Sequence, residues 1–452
     1  MTLILKKTKK CFRQLSRNTR GQGYLIKGLF GNGIIRVSIT LTMFLISVGL
    51  ARNLGPSQYG LYTLGLSLAT VLMSPLQIGL STFLVREVAR YHLTLRFDLI
   101  RGLTNRYFQL MAAGGAAIVA LGGTCIFLSS GGVYFQTTII VTFGLFLSLA
   151  ISILSGFGAI LQGFRKVTLG QLPDLILRLG FLIMLSLSAL VGWHLSASGA
   201  MLIHIFSAAL ACGTTYIIFH ATILEKICGF EPAYDDRNWL QLLRPMLVMS
   251  GLFVANSQVD IVMIGAFLNT KDLGIYRVAF QTSTLVAFSL IIINSVISPQ
   301  LSRLYAANEM KKLQALVSLS TKIIVSVSAP IGLALLVFSS QTIEFIFGSH
   351  YASAAVALDI LLVGQFANAA MGPAATILNM TGHERDTTKG VLLAISTNIL
   401  LNTVLLPIVG INGAAVSTSS SLIVWNVYLS RKAFIRTGIN SSILRASLML
   451  ST

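Results

Sequence analysis

Acidic side chains are scarce in this sequence: 14 Asp and Glu stand among 452 residues, against 33 Lys and Arg. Charges of both signs reach only 10% of the chain, while 54% of it is hydrophobic. A soluble domain with that balance could not cover its surface with polar groups, so a water-soluble globular fold is excluded. Cysteine is equally sparse. Cys11, Cys125, Cys212 and Cys228 are scattered, with no C-x-x-C and no histidine at ligand spacing. They read as small apolar side chains, which argues against a disulfide framework and against a metal site. There is no D-x-D and no H-E-x-x-H, so a membrane polymerase or glycosyltransferase lacks its acidic motif and a zinc hydrolase lacks its ligands.

What the chain does have is long apolar runs. Runs of roughly 18 to 25 residues recur along its whole length, each enough to cross a hydrocarbon core of about 30 Å. They predict an all-α integral membrane protein with twelve spans, at 34–51, 60–82, 108–129, 137–161, 170–192, 196–219, 246–268, 274–298, 318–338, 354–379, 389–409 and 412–430. The connections then separate by charge. Basic residues crowd into the N-terminal arm, the loop from Arg86 to Arg106, the Arg165–Lys166 turn, the loop with Lys226, Arg237 and Arg244, the loop with Arg303 to Lys312, the His383–Lys389 turn and the tail from Arg431 to Arg445. The alternate connections are short and hold only Arg52 and Lys271. By the positive-inside rule both termini are cytoplasmic and the N-terminal arm is a retained segment rather than a signal peptide. The same placement explains the net charge of +19 without nucleic acid, since the cations lie beside spans and anionic lipid headgroups. Asp235-Asp236 precedes Trp239-Leu240-Gln241-Leu242-Leu243 and predicts a capped amphipathic helix on the cytoplasmic surface.

An internal repeat organises the spans. Gly60-Leu61-Tyr62 and Gly274-Ile275-Tyr276 lie 214 residues apart, and Gly199-Ala200 and Gly413-Ala414 open the sixth and twelfth spans at the same offset. Six spans per half is an even number, so the halves enter from the same side and are related by an axis along the membrane normal. The predicted organisation is a basic arm at 1–33, a six-helix bundle at 34–219, a cytoplasmic linker at 220–245, a second six-helix bundle at 246–430 and a basic tail at 431–452, with a central cavity between two parallel bundles.

The stretch Gly49-Leu50-Ala51-Arg52-Asn53-Leu54-Gly55-Pro56-Ser57-Gln58-Tyr59-Gly60-Leu61-Tyr62 resembles the A-R-x-L-G-P-x-x-Y-G-L-Y signature of Wzx-type polysaccharide flippases, members of the MOP exporter superfamily. Gln258-Val259-Asp260 with Gly265, then Leu273-Gly274-Ile275-Tyr276 with Ala279, is similar to that family's seventh and eighth spans. Phe347-Gly348 and Asn412-Gly413-Ala414-Ala415 also fit. The resemblance implies a MATE-like fold in a bacterial or archaeal plasma membrane. It also implies a non-enzymatic flippase that carries a polyprenyl-diphosphate-linked oligosaccharide to the outer leaflet, coupled to H+ or Na+ and otherwise free of cofactors. Partners would be membrane lipids and the polymerase and chain-length proteins of the same pathway. A multidrug or cation antiporter of the same superfamily is the nearest alternative, and a membrane polysaccharide polymerase a more distant one.

An ionisable side chain at mid-bilayer costs about 2.5–3.5 kcal/mol on insertion scales, so each one requires a reason. Arg178, with Asp174 one turn earlier, approaches mid-depth in the fifth span and predicts a phosphate-binding fork. An i,i+4 pair that merely neutralises itself is the equal alternative. Arg36 and Arg277 lie near span ends, where substrate contact competes with snorkelling to the headgroups. Asp260, following the polar run Asn256-Ser257-Gln258 in the seventh span, is the candidate coupling carboxylate, with Asn256 and Asp359 as companions. Hydrogen bonding to a neighbouring helix is the alternative there. For Gln281, Asn294, Gln365, Asn368, Asn398 and Asn402 such bonding is the default. Pro75, Pro299, Pro330 and Pro373 are expected to mark kinks.

Overall fold

A computed structural model describes residues 22–129, 135–193 and 195–443; the basic arm before Gln22 and the tail beyond residue 443 lie outside the described residues. The chain is a succession of helices: α1 (Gln22–Ser74), α2 (Leu80–Leu93), α3 (Phe97–Ser129), α4 (Phe135–Gly163), α5 (Val167–Leu190), α6 (Ala197–Phe219), α7 (Asp236–Phe267), α8 (Thr270–Ala306), α9 (Met310–Val337), the short α10 (Ser339–Phe347), α11 (Ala354–Met371), α12 (Ala374–Met380), α13 (Glu384–Val409) and α14 (Ile411–Thr437). Among the described residues, ten helical stretches are long and apolar enough to cross a membrane. The first, Ser38–Leu93, has 56 residues, enough for two crossings. It bends at Gly55, whose φ of 68° no ordinary side chain adopts cheaply, and Pro56 has no N–H to continue the ladder. Adding the serine-rich α14 gives twelve crossings, and the protein is a multi-pass membrane protein.

The expected surface helix and two of the four expected proline kinks change. The predicted surface helix at Trp239 is instead the beginning of α7, continuous with the seventh span. Trp239 is buried and its indole Nε1 donates to the Tyr91 hydroxyl at 2.9 Å, so the aromatic side chain anchors in the first half rather than in the headgroups. The tenth span is broken at Gly372–Pro373 into α11 and α12, as its proline predicts. Pro75 starts a π-helical turn, Pro75–Gly79, between α1 and α2, whereas Pro299 and Pro330 sit inside regular helix.

The 214-residue repeat is written into contacts. Tyr62 shares a hydrogen bond with His204 Nδ1 at 2.7 Å, and Tyr276 with Thr418 at 2.8 Å; both pairs are 142 residues apart. Turns with positive φ at Leu95 and Asn308 close the second and eighth spans with the same 6→1 bond, from Arg96 N to Tyr91 O and from Glu309 N to Leu304 O. Where the halves cross, glycine is obligatory. A Cβ on Gly60 would lie 1.7 Å from Thr270 O, and one on Gly274 would lie 2.1 Å from Pro56 O.

The apolar core is divided in a way that fixes the shape. One cluster joins both halves at the weakly charged face, from Leu50, Tyr59 and Tyr62 to Tyr276, Phe347 and Tyr351. At the basic face the halves have separate cores, one around Phe83, Tyr107, Phe157 and Trp239 and the other around Leu301, Leu313, Ile377 and Leu429. The connection between the halves belongs to the first: Arg101 donates to Cys228 O at 2.7 Å and to Phe230 O, and Ala233 N donates to Asp98 O at 3.1 Å.

Candidate functional site

A cavity of about 850 Å³, lined mostly by the first half, extends from Gln77, Val85 and Gln162 up to Leu50 and Tyr59. Helices α1, α2, α4 and α5 supply most of its wall, and α7 and α8 supply Gln258, Arg277 and Gln281. Two cross-half contacts close it at the far end. Arg52 Nε donates to Ile346 O at 2.7 Å and its guanidinium also reaches Phe345 O, both at the C-terminal end of α10; the Tyr351 hydroxyl donates to Ala51 O at 2.9 Å. The last carbonyls of a helix have no partner within it and carry the negative end of its dipole, so a guanidinium there is well placed.

Arg178 and Asp174 both line the cavity and form the ion pair expected from their spacing, with Nη2 3.0 Å from Oδ1 and Nε donating to the same oxygen at 3.0 Å. The pair keeps one carboxylate oxygen and part of the guanidinium turned to the cavity, since the side chains retain 42% and 25% of their exposure. Nearby, His204 stacks on Phe181 with ring centroids 4.1 Å apart. Arg277 turns into the cavity, with its guanidinium 5.8 Å from the Phe280 ring centroid, rather than toward headgroups. Its neighbour one turn on, Gln281, lines the same wall, so the i,i+4 spacing of two polar residues was the available signal. Arg36 lies on α1, but its side chain is outside the described residues.

Asp260 is elsewhere. It is buried in the second half and accepts hydrogen bonds from Asn398 at 2.9 Å and Asn402 at 2.8 Å, both on α13, while Asn402 also donates to Asn398 Oδ1 at 2.7 Å. Asn402 Oδ1 is buried without a hydrogen-bond partner. The Tyr276–Thr418 hydroxyl pair completes an oxygen-rich pocket of neutral groups around one carboxylate. Asn256 is half-buried on α7 and does not line the cavity. Asp359 stands apart in α11 beside Ser339, with a buried Oδ1 that has no hydrogen-bond partner. Two cavity residues carried no weight in the sequence, Gln77 and Gln171, and Gln162 stood out only as part of the repeat landmark Leu161-Gln162-Gly163; a long amide inside an apolar run was their functional sign.

The sequence profile described as polysaccharide biosynthesis protein matches residues 25–305. The chain belongs to that family. The profile described as MatE matches residues 245–408 of the same chain. Over 172 residues the family member is 29% identical to the probable low-salt glycan biosynthesis flippase Agl15 of Haloferax volcanii; that stretch is 37% of this chain and 36% of the relative. The fold is that of the MOP superfamily. The structure superposes on an inward-facing multidrug resistance MATE family transporter with a TM-score of 0.68 at 13% identity, over 93% of this chain and 99% of the other. It superposes on the lipid II flippase MurJ in an inward closed conformation with a TM-score of 0.66 at 14% identity, over 92% of this chain and 90% of the other.

Proposed function

We propose that this family member is a flippase for a polyprenyl-diphosphate-linked oligosaccharide, working by alternating access in a plasma membrane with both termini cytoplasmic. One observation carries the reading. Two six-span halves share one core on the weakly charged face and have separate cores on the basic face, and a cavity of mixed polar and apolar lining, most of it from the first half, holds two inward guanidiniums. A diphosphate headgroup cannot cross hydrocarbon without replacing its hydration, and a planar guanidinium offers paired donors that fit phosphate oxygens. No bond is made or broken in such a transfer, so positioned donors suffice. Flipped lipid would then pass to the polymerase and chain-length proteins of the pathway.

Movement needs a driving force, and we assign the coupling ion to the pocket at Asp260. The buried carboxylate, the unpartnered Asn402 Oδ1 and the Tyr276 and Thr418 hydroxyls are hard oxygen groups that suit a proton on the carboxylate, or Na+ once the two amides that now donate to it turn their oxygens inward. Tyr276 ties this pocket to the cavity, because Arg277 follows it directly on α8 and faces the other way. A cation bound at Asp260 would thus act on the same helix that carries a substrate-facing guanidinium. An antiporter for organic cations fits the cavity less well, since Arg277 would repel them.

The test is Arg277→Ala in a host that depends on this protein for its surface glycan. Normal membrane levels of the protein with loss of surface glycan support the proposal; normal glycan overturns the role of Arg277.

A further inference from the structure

The cavity wall is built far more from amides and hydroxyls than from charge. Among its described lining residues only Asp174, Arg178 and Arg277 carry formal charges. Asp174 cancels Arg178 at 3.0 Å, which leaves Arg277 as the net positive charge among the described lining residues. At the basic face, Arg86 and Arg90 share the one buried carboxylate of Glu87, at 3.1 and 2.6 Å, which leaves one positive charge over, outside the cavity lining. The two ionised phosphates of a diphosphate diester already exceed what Arg277 offers. A carboxylate or sulfate on the sugar would therefore find no further unpaired cation among the described lining residues, and taking it out of water there would be an expensive transfer.

Glutamines fill the place that further cations would take. Gln77, Gln162, Gln171, Gln258 and Gln281 all line the cavity. Each amide donates and accepts at once, the pattern presented by neighbouring sugar hydroxyls. They are also underused by the protein. Gln171 Oε1 is buried without a hydrogen-bond partner; Gln162 reaches Gly170 O only at 3.5 Å, and Gln258 only the adjacent Ser257 at 3.4 Å. Gln77 is presented by the π turn Pro75–Gly79, where the wider turn breaks the regular spacing of side chains along the span.

Resting on the flippase reading, we infer that the translocated glycan is uncharged, with the diphosphate held by Arg277 and Arg178 and the sugar hydroxyls taken up by the glutamines. Gln77 and Gln171 are then specificity-determining residues. An acidic repeat unit is disfavoured for want of a further unpaired cation among the described lining residues, and the amides recognise hydroxyl pattern rather than charge.

The experiment is a competition binding assay on the full chain in lipid nanodiscs with three probes: bare polyprenyl diphosphate, the same lipid carrying a neutral oligosaccharide, and the same lipid carrying an oligosaccharide of equal length with hexuronates. The neutral glycan lipid is expected to bind at least about tenfold tighter than the acidic one. Gln77→Leu and Gln171→Leu should each weaken the neutral glycan lipid roughly five- to tenfold, the worth of one or two ordinary hydrogen bonds, with a smaller loss for the bare lipid. Thermal melting of each variant in nanodiscs establishes that it is folded. Acidic and neutral lipids binding alike, or glutamine variants losing both lipids equally, overturns the inference while leaving the flippase intact. Failure of the folded protein to bind even bare polyprenyl diphosphate overturns the flippase reading itself.

Discussion

The closure at the weakly charged face is narrow enough to be weighed. Arg52 gives charge-assisted hydrogen bonds to the end of α10, and Tyr351 gives a buried neutral one to Ala51 O. A buried neutral bond contributes about 1 kcal/mol, and bonds from a charged donor about 1.5–3 kcal/mol. Arg52 is exposed, so water competes and its share falls to about 1 kcal/mol. Together they favour the closed outer face by about 2 kcal/mol, roughly thirtyfold in the ratio of the two states. The double variant Arg52→Ala, Tyr351→Phe should shift that ratio toward an outward-open form by this factor. Spin labels at Trp193→Cys in the first half and Ser340→Cys in the second, in a background with the native cysteines replaced by serine, would report it. Pulsed electron resonance should show a longer-distance population that grows strongly in the double variant and partially in each single one. A distance distribution unchanged in a folded double variant would refute the reasoning, because the shared apolar core alone would then be holding the face shut.

Other consequences follow from the same geometry. Asp260→Asn keeps hydrogen-bonding capacity but removes the charge, so transport in vesicles should lose its dependence on an imposed Na+ or H+ gradient while lipid binding persists; unaltered gradient dependence would remove Asp260 from coupling. Gly60→Ala places a methyl against Thr270 O at the crossing of the halves, and should cost about 3 kcal/mol or prevent folding, read by thermal unfolding in detergent. Trp239→Phe loses the bond to Tyr91 and part of the buried indole, and should lower stability by about 2 kcal/mol in the same assay.

The fold was readable because a bilayer imposes its period on the sequence. Apolar length and the 214-residue repeat are local or regular signals; the first reappears in ten apolar helical stretches among the described residues, the second in the matched Tyr62–His204 and Tyr276–Thr418 pairs. The Arg178–Asp174 pair was readable for the same reason, being one turn apart on one helix. Contacts across hundreds of residues were not. Arg52 meets its acceptors 293 and 294 positions away, and Asp260 meets Asn398 and Asn402 at separations of 138 and 142. Each of these residues looked like a separate polar anomaly, and only the packing of α1 on α10 or α7 on α13 pairs them. Trp239 misled because an amphipathic run beside acidic residues has the same pattern whether it meets headgroups or a neighbouring bundle. Arg277 was ambiguous by depth alone, and the helix face it shares with Gln281 resolves it.

The central claim is that this cavity carries a lipid-linked glycan across a bilayer. The most direct measurement reconstitutes the purified chain in sealed vesicles that hold a polyprenyl-diphosphate-linked oligosaccharide in the leaflet facing the basic side of the protein. A glycosidase confined to the other side should gain access to the glycan only when the protein and an ion gradient are present. Glycan that stays protected under those conditions, while the same vesicles move an organic cation, would contradict the account.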